Sequence, residues 1–244
     1  MANWSDPRSN AAMRATSVGT DAAAYDAGLR SYMLSVYNYM ASGVLLTGVV
    51  ALLFARSSAA EAILFGPGIL KYVLMFSPLA FVMVLSFGVQ RLSTAATQGL
   101  FWAFATAMGL SMASIFFVYT GTSIAQTFFA TAAAFAGLSL YGYTTKRDLS
   151  AFGTFLVMGV VGLLVAMLIN IFLQSSAMQL VISFVGVLIF AGLTAYDTQR
   201  IKNLYFQVAG TDMMGKSVVM GALSLYLDFI NMFTFLLQFM GDRR

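Results

Sequence analysis

The chain has 244 residues, of which 60% are hydrophobic and only 9% charged, against roughly 25% charged in a soluble domain. So few charges cannot cover a water-facing surface, and most of the chain must face lipid or itself. Without Cys or His, disulfides, Cys/His zinc sites, Ser-His-Asp triads and imidazole switches are excluded, and a scattered net charge of +4 is too small for a nucleic-acid surface and reads as membrane orientation.

In chain order, residues 1–30 form a polar amino-terminal tail and interfacial lead-in, ahead of a transmembrane domain over 31–244. Asn3–Gly19, rich in Ser, Ala, Asn and Thr with no apolar period, reads as a mobile tail. It lacks the early basic-then-apolar layout of a signal peptide. From Asp21 the spacing of Tyr25, Leu29 and Met33 is helical, which suits a lead-in lying at the interface; a frayed end with no role is the alternative.

A spanning helix needs about 20 apolar residues. Stretches of that kind run over Tyr32–Ala55, Tyr72–Gln90, Thr97–Tyr119, Thr122–Thr144, Ala151–Leu173, Met178–Ile201 and Val218–Met240. The joins at Thr120–Gly121 and Gln174–Ala177 barely turn the chain, so neighbouring helices are antiparallel and adjacent. The expected object is an all-α integral membrane protein, a seven-transmembrane helix bundle, monomeric. Nine Lys and Arg fall on the amino-terminal side of such a bundle, among them Arg30, Arg91, Lys146, Arg147 and Lys202, against Arg56, Lys71, Arg243 and Arg244 on the other. The bias favours a cytoplasmic amino terminus and, unless the last span is re-entrant, an exterior carboxyl terminus.

Small and polar residues mark helix contact faces inside lipid. Gly162, Ala166 and Asn170 in the fifth span, and Ala105, Gly109 and Ala113 in the third, suggest close packing. The seventh span carries one polar stripe, Gly221, Ser224, Asp228, Asn231, Phe235 and Gln238. The sixth carries Ser183, Gly186, Phe190, Thr194 and Asp197. A helix polar along a whole face turns it toward protein or water, so the seventh helix is expected to be central.

Asp228 alone among the acidic residues sits well inside a predicted span, where a carboxylate costs at least about 2.5 kcal/mol. The sixth span runs the opposite way and brings Asp197 to a similar depth. Two carboxylates facing one another cannot both ionise cheaply; they share a proton and titrate as a unit. Such a pair is a candidate pH sensor and, deprotonated, a transient stop for a hard cation such as Ca²⁺. Arg91, at the end of the second span, is a candidate latch that pairs with the ionised form, or an ordinary interfacial anchor. Ser224, Asn231 and Thr194 are candidate supporting polar groups.

The run Ala195-Tyr196-Asp197-Thr198-Gln199-Arg200-Ile201, followed by Ala222-Leu223-Ser224-Leu225-Tyr226-Leu227-Asp228-Phe229-Ile230-Asn231-Met232-Phe233, closely resembles the signature of the Bax inhibitor family (transmembrane Bax inhibitor motif proteins). Tyr39-Met40-Ala41-Ser42-Gly43 with Thr47-Gly48 is similar to bacterial members. The resemblance, from about Leu29 onward, implies seven helices with the last surrounded by the other six, and a pH-sensitive calcium leak sensed by Asp197 and Asp228. It implies that Arg91, by its position ahead of the third span, latches the closed state. Some relatives carry an acid within the second span, where Tyr72–Gln90 has none. Bacterial relatives are also linked to regulation of a membrane-bound AAA protease, an interaction role for which the polar tail would be the handle.

Enzymatic readings are weaker. Tyr196-Asp197 matches half of an intramembrane aspartyl protease pattern, but the Gly-x-Gly-Asp half is replaced by Leu225-Tyr226-Leu227-Asp228, whose bulk blocks a substrate backbone. No Lys lies inside a span to carry a retinal Schiff base. Gly210–Ser217 matches the spacing of a phosphate loop, but a membrane helix rather than a strand precedes it. The scattered Met residues read as packing filler. No enzyme activity and no cofactor are expected; Ca²⁺ enters as a permeant ion.

Overall fold

The computed structural model describes the backbone of residues 7–244 and side chains from residue 26 onward. Of the tail expected over Asn3–Gly19, residues 3–6 lie outside the described residues, and from Pro7 onward its backbone is the first part of α1. The helices are α1 (Pro7–Ala55), α2 (Ser58–Phe65), α3 (Leu70–Gly88), α4 (Thr94–Met112), α5 (Ile115–Val118), α6 (Gly121–Thr144), α7 (Ser150–Leu173), α8 (Ser176–Val208) and α9 (Met213–Met240). Among the described residues, seven stretches are long and apolar enough to cross a membrane, with α4 and α5 together making the third.

The short joins are made by hydroxyl caps. Ser93 accepts from the Ala96 backbone N–H ahead of α4, Thr120 from Ser123 ahead of α6, and Ser175 from Met178 ahead of α8. Each satisfies one of the orphan donors that open a helix. Gln174 closes α7 in the left-handed region at φ 48°, and Asn170 Oδ1 accepts from Ser175 N at 3.0 Å across that turn. Besides α2 in the connection after the first span, two features were not foreseen from the pattern. The third span is interrupted at Ala113–Ser114, and α8 runs seven residues beyond the predicted end at Ile201, because Tyr205 is still buried.

α9 packs on α8, α1, α4 and α6, while α3 lies against α4 and α7 against α8 as outer elements. Of its most apolar stretch, 72% is buried, against 11–33% in the other spans. Gly109 meets the Thr47 carbonyl and Val50 of α1, so the third-span small residues do mark a close crossing. The fifth-span stripe holds in part: Ala166 packs against the core and Asn170 Nδ2 donates to Gln179 Oε1 of α8 at 3.2 Å, whereas Gly162 faces open space and the buried residues of α7 are Gly153, Leu156 and Leu163.

The carboxyl end straps the α5–α6 turn. Thr120 N donates to Asp242 O at 3.1 Å, Arg244 N to Val118 O at 3.0 Å, and Asp242 N to Ser123 Oγ at 2.9 Å. α9 thus completes its crossing, and the carboxyl terminus lies at the end where α1 finishes and α8 begins.

Candidate functional site

The polar stripes of the sixth and seventh spans face each other across the antiparallel pair α8 and α9. Near the carboxyl-terminal end, Gln179 Nε2 donates to Gln238 Oε1 at 2.8 Å. The Phe235 ring covers Gly186 and stacks on Phe190 with centroids 5.9 Å apart. Toward the other end, Arg200 Nη2 donates to Ser224 Oγ at 3.2 Å and Ile201 lies on Gly221. These contacts bracket the register and place Asp197 level with Asp228.

Both carboxyl groups are buried. Asp197 Oδ1 sits 3.3 Å from Arg200 Nη2, one turn along the same helix, with the guanidinium side chain 52% exposed and the aspartate side chain 12% exposed. The arginine therefore leads from water to the acid. Asp228 Oδ2 is buried with no hydrogen-bond partner. Asp228 interacts with both Asp197 and Arg200 through charge rather than through a hydrogen bond. An orphaned carboxyl oxygen in the middle of a membrane helix is costly, and polar satisfaction alone does not explain its place.

Arg91 is exposed in the turn after α3, where its backbone N–H donates to Gly88 O at 2.9 Å. The ion pair found among the described residues belongs instead to Arg200. Its signal in the sequence was the three-residue spacing from Asp197, which the count of orientation charges obscured. Thr194 Oγ1 bonds back to Phe190 O and Asn231 Nδ2 to Leu227 O. Of the supporting groups, Ser224 alone links the two helices, through Arg200.

Around the pair, α8 is tied to every neighbour within two turns. Thr198 Oγ1 shares a hydrogen bond with Ser139 Oγ of α6 at 2.9 Å, and Ser139 with Tyr37 of α1 at 2.6 Å. Gln199 accepts from Leu149 N and donates to Arg147 O, while Lys202 Nζ donates to Tyr143 O at 2.8 Å. Nothing in the spacing of Tyr37 or Ser139 pointed to this site, because the residues come from separate spans. A cavity of about 470 Å³ lined by Gln199, Arg200, Asn203, Gln207 and Ser224 lies over the arginine. On the other side of Asp228, the buried Met232, Phe233, Phe235 and Leu237 fill the bundle.

Among the described residues no group of three or more acids stands together to hold a metal. Two carboxylates fall well short of the roughly six to eight oxygens around a resident Ca²⁺. Gly210 sits in the turn after α8 with φ 75°, and Lys216 and Ser217 lie in the first turns of α9; a helix precedes them, and no phosphate loop forms.

A family model described as "Inhibitor of apoptosis-promoting Bax1" matches residues 29–244. The chain is 47% identical over 220 residues to the inner membrane protein YbhL of Escherichia coli K12, covering 89% of this chain and 94% of that protein. It is 44% identical over 221 residues to RP147 of Rickettsia prowazekii, covering 90% and 93%. A Caulobacter vibrioides protein is 45% identical over 228 residues, covering 90% and 91%.

Proposed function

The chain belongs to the Bax inhibitor family of membrane proteins, and on that premise we propose that it is a pH-sensitive cation leak, with Ca²⁺ the favoured ion, gated by Asp197 and Asp228. The observation that carries this reading is the unpartnered Asp228 oxygen, buried at the level of the Asp197–Arg200 pair. Like charges in a poorly polarisable site ionise one at a time. Loss of the second proton places two negative charges on facing helices, and their repulsion loosens α8 from α9 at that level. The polar cavity over Arg200 then extends toward the lower half of the bundle. The ionised pair offers a hard cation a passing contact rather than a resident site. Arg200, half in water, pairs with Asp197 and favours its ionised form.

The test is calcium uptake into dye-loaded vesicles carrying the purified protein. Uptake should change between about pH 6 and 8, and Asp228→Asn should abolish that dependence while keeping side-chain shape. Uptake indifferent to pH, or unaltered in the variant, overturns the reading.

The family description names an inhibitor of another protein, and this favours a second reading. The chain then acts by binding a membrane partner, such as a membrane-bound AAA protease, through its polar amino-terminal segment. Deleting residues 1–20 separates the two: flux that survives while a cellular phenotype disappears supports binding. The inner-membrane location of YbhL and the excess of basic residues at the amino-terminal end support an inner-membrane protein with its amino terminus in the cytoplasm.

A further inference from the structure

α1 and α6 both pack on α9 but meet each other only sparsely, where Tyr37 bonds to Ser139, and the space between them elsewhere is a cleft open to the membrane. One part, about 700 Å³, is lined by Met33, Met40, Ala132, Ala136 and Phe135 with Arg30 and Tyr143 at one end. A second part, about 320 Å³, continues toward the other end of the bundle and shares Val44, Phe128 and Phe229 as walls. Gly48 and Gly121 border this second part, and a Cβ on either would meet nothing within 4 Å. The walls are hydrocarbon, so a polar solute gains nothing there, whereas an extended acyl chain fits their length and chemistry.

The end of the cleft is not neutral. Arg30 is exposed at its mouth and makes no ion pair among the described residues, although Asp26 lies one turn away. Lys202 stands 4.9 Å over the Tyr143 ring that forms the same rim, and Lys146 and Arg147 are exposed in the following connection. Inside the mouth, the Tyr37 and Ser139 hydroxyls face the same space. A basic rim over an apolar slot is complementary to a negatively charged headgroup above an acyl chain.

We propose that this cleft is a binding site for one anionic phospholipid of the bilayer, with an acyl chain between α1 and α6 and its headgroup at Arg30. The occupant wedges apart the two helices that Tyr37 and Ser139 join near the Asp197 level, so the site sits beside the acidic pair without using it.

Native mass spectrometry of the full-length protein in detergent tests this with phosphatidylglycerol and phosphatidylcholine of identical chains. The wild type should retain one phosphatidylglycerol in preference to phosphatidylcholine. Arg30→Gln should lower phosphatidylglycerol retention about five-fold and leave phosphatidylcholine unchanged. Ala136→Trp, which fills the slot, should lower retention of both, and Val161→Trp on the exposed face of α7 should lower neither. Equal retention of the two lipids by the wild type, or an unaltered preference in Arg30→Gln, overturns the proposal. So does full retention in Ala136→Trp. Should Ala136→Trp fail to fold, Arg30→Gln decides alone.

Discussion

The hydroxyl of Thr47 donates to the Ala105 carbonyl at 2.8 Å, which leaves it to accept from the buried Tyr226 hydroxyl at 2.6 Å. The two partners are therefore unequal. Thr47→Val keeps the shape but strands a buried phenol, an expected loss of about 1–3 kcal/mol. Tyr226→Phe removes the donor and leaves Thr47 bonded, at about 0.6 kcal/mol, the usual scale of such bonds in membranes. Thermal unfolding of both variants in detergent checks the order; a costlier Tyr226→Phe would contradict it. Arg200 behaves differently because half its side chain meets water. Its pair with Asp197 contributes about 1 kcal/mol or less to stability. Arg200→Gln should leave the melting temperature nearly unchanged, yet move the midpoint of flux against pH to more alkaline values. The reason is that the cation favouring the ionised acids is gone. At this scale the sequence exposed Asp197 and Asp228, since an acid within an apolar run stands out. It hid Arg200 among the charges and gave no sign of Tyr37 or Ser139.

Two helix crossings on α8 are set by the absence of side chains on its neighbours. A Cβ at Gly142 of α6 would run into the Ala195 carbonyl, and one at Gly153 of α7 into the Tyr196 ring. A backbone carbonyl cannot rotate away, so Gly142→Ala should cost about 1–3 kcal/mol through overpacking. Gly162→Ala, facing open space, should be neutral or stabilising by up to about 1 kcal/mol from helix propensity. Comparing melting temperatures of the two tests whether glycine spacing or glycine surroundings matters. At the start of α7, the Ser150 side chain and then its backbone N–H hold the exposed Asp148 carboxyl below the ordinary carboxylate range, the backbone bond measuring 2.9 Å. A depressed value in the fold means that the cap stabilises above the unfolded carboxylate's range and is lost as pH falls through the folded one. Asp148→Asn should therefore lose stability at pH 7 and converge with the wild type as pH falls below the carboxyl's depressed range, read from thermal unfolding at each pH.

Over the whole molecule, seven crossings place the α1–α2, α5–α6 and α7–α8 joins and the carboxyl terminus at one end, and the α3–α4, α6–α7 and α8–α9 joins at the other. The chain has no Cys, so single cysteines report this directly. Ser57→Cys and Thr120→Cys should label with an impermeant thiol reagent from one side of intact vesicles. Ser93→Cys and Lys146→Cys should label only from the other. Labelling of Ser57→Cys and Ser93→Cys from the same side would break the alternation. The carboxyl-terminal strap over Val118–Ser123 closes the bundle at the first of these ends, opposite the polar cavity over Arg200.

The number of spans, their near boundaries, their alternation and the two buried acids were all determined by the chain alone. Twenty apolar residues in lipid must satisfy their own backbone, and only a helix does so. Hydropathy therefore writes out the elements. Contacts between elements carry no such local signature. Lipid tails are as apolar as the side chains facing them, so Gly162 and Gly153 read alike until the rotation of α7 is known. The rotation follows from packing on α8. Packing likewise decided that Ser224 of α9 meets Arg200 of α8, that Asp228 is left with an unpaired oxygen, and that α1 and α6 stand apart over most of α9. Each depends on which surfaces touch across distant stretches of sequence, and only the assembled bundle fixes that.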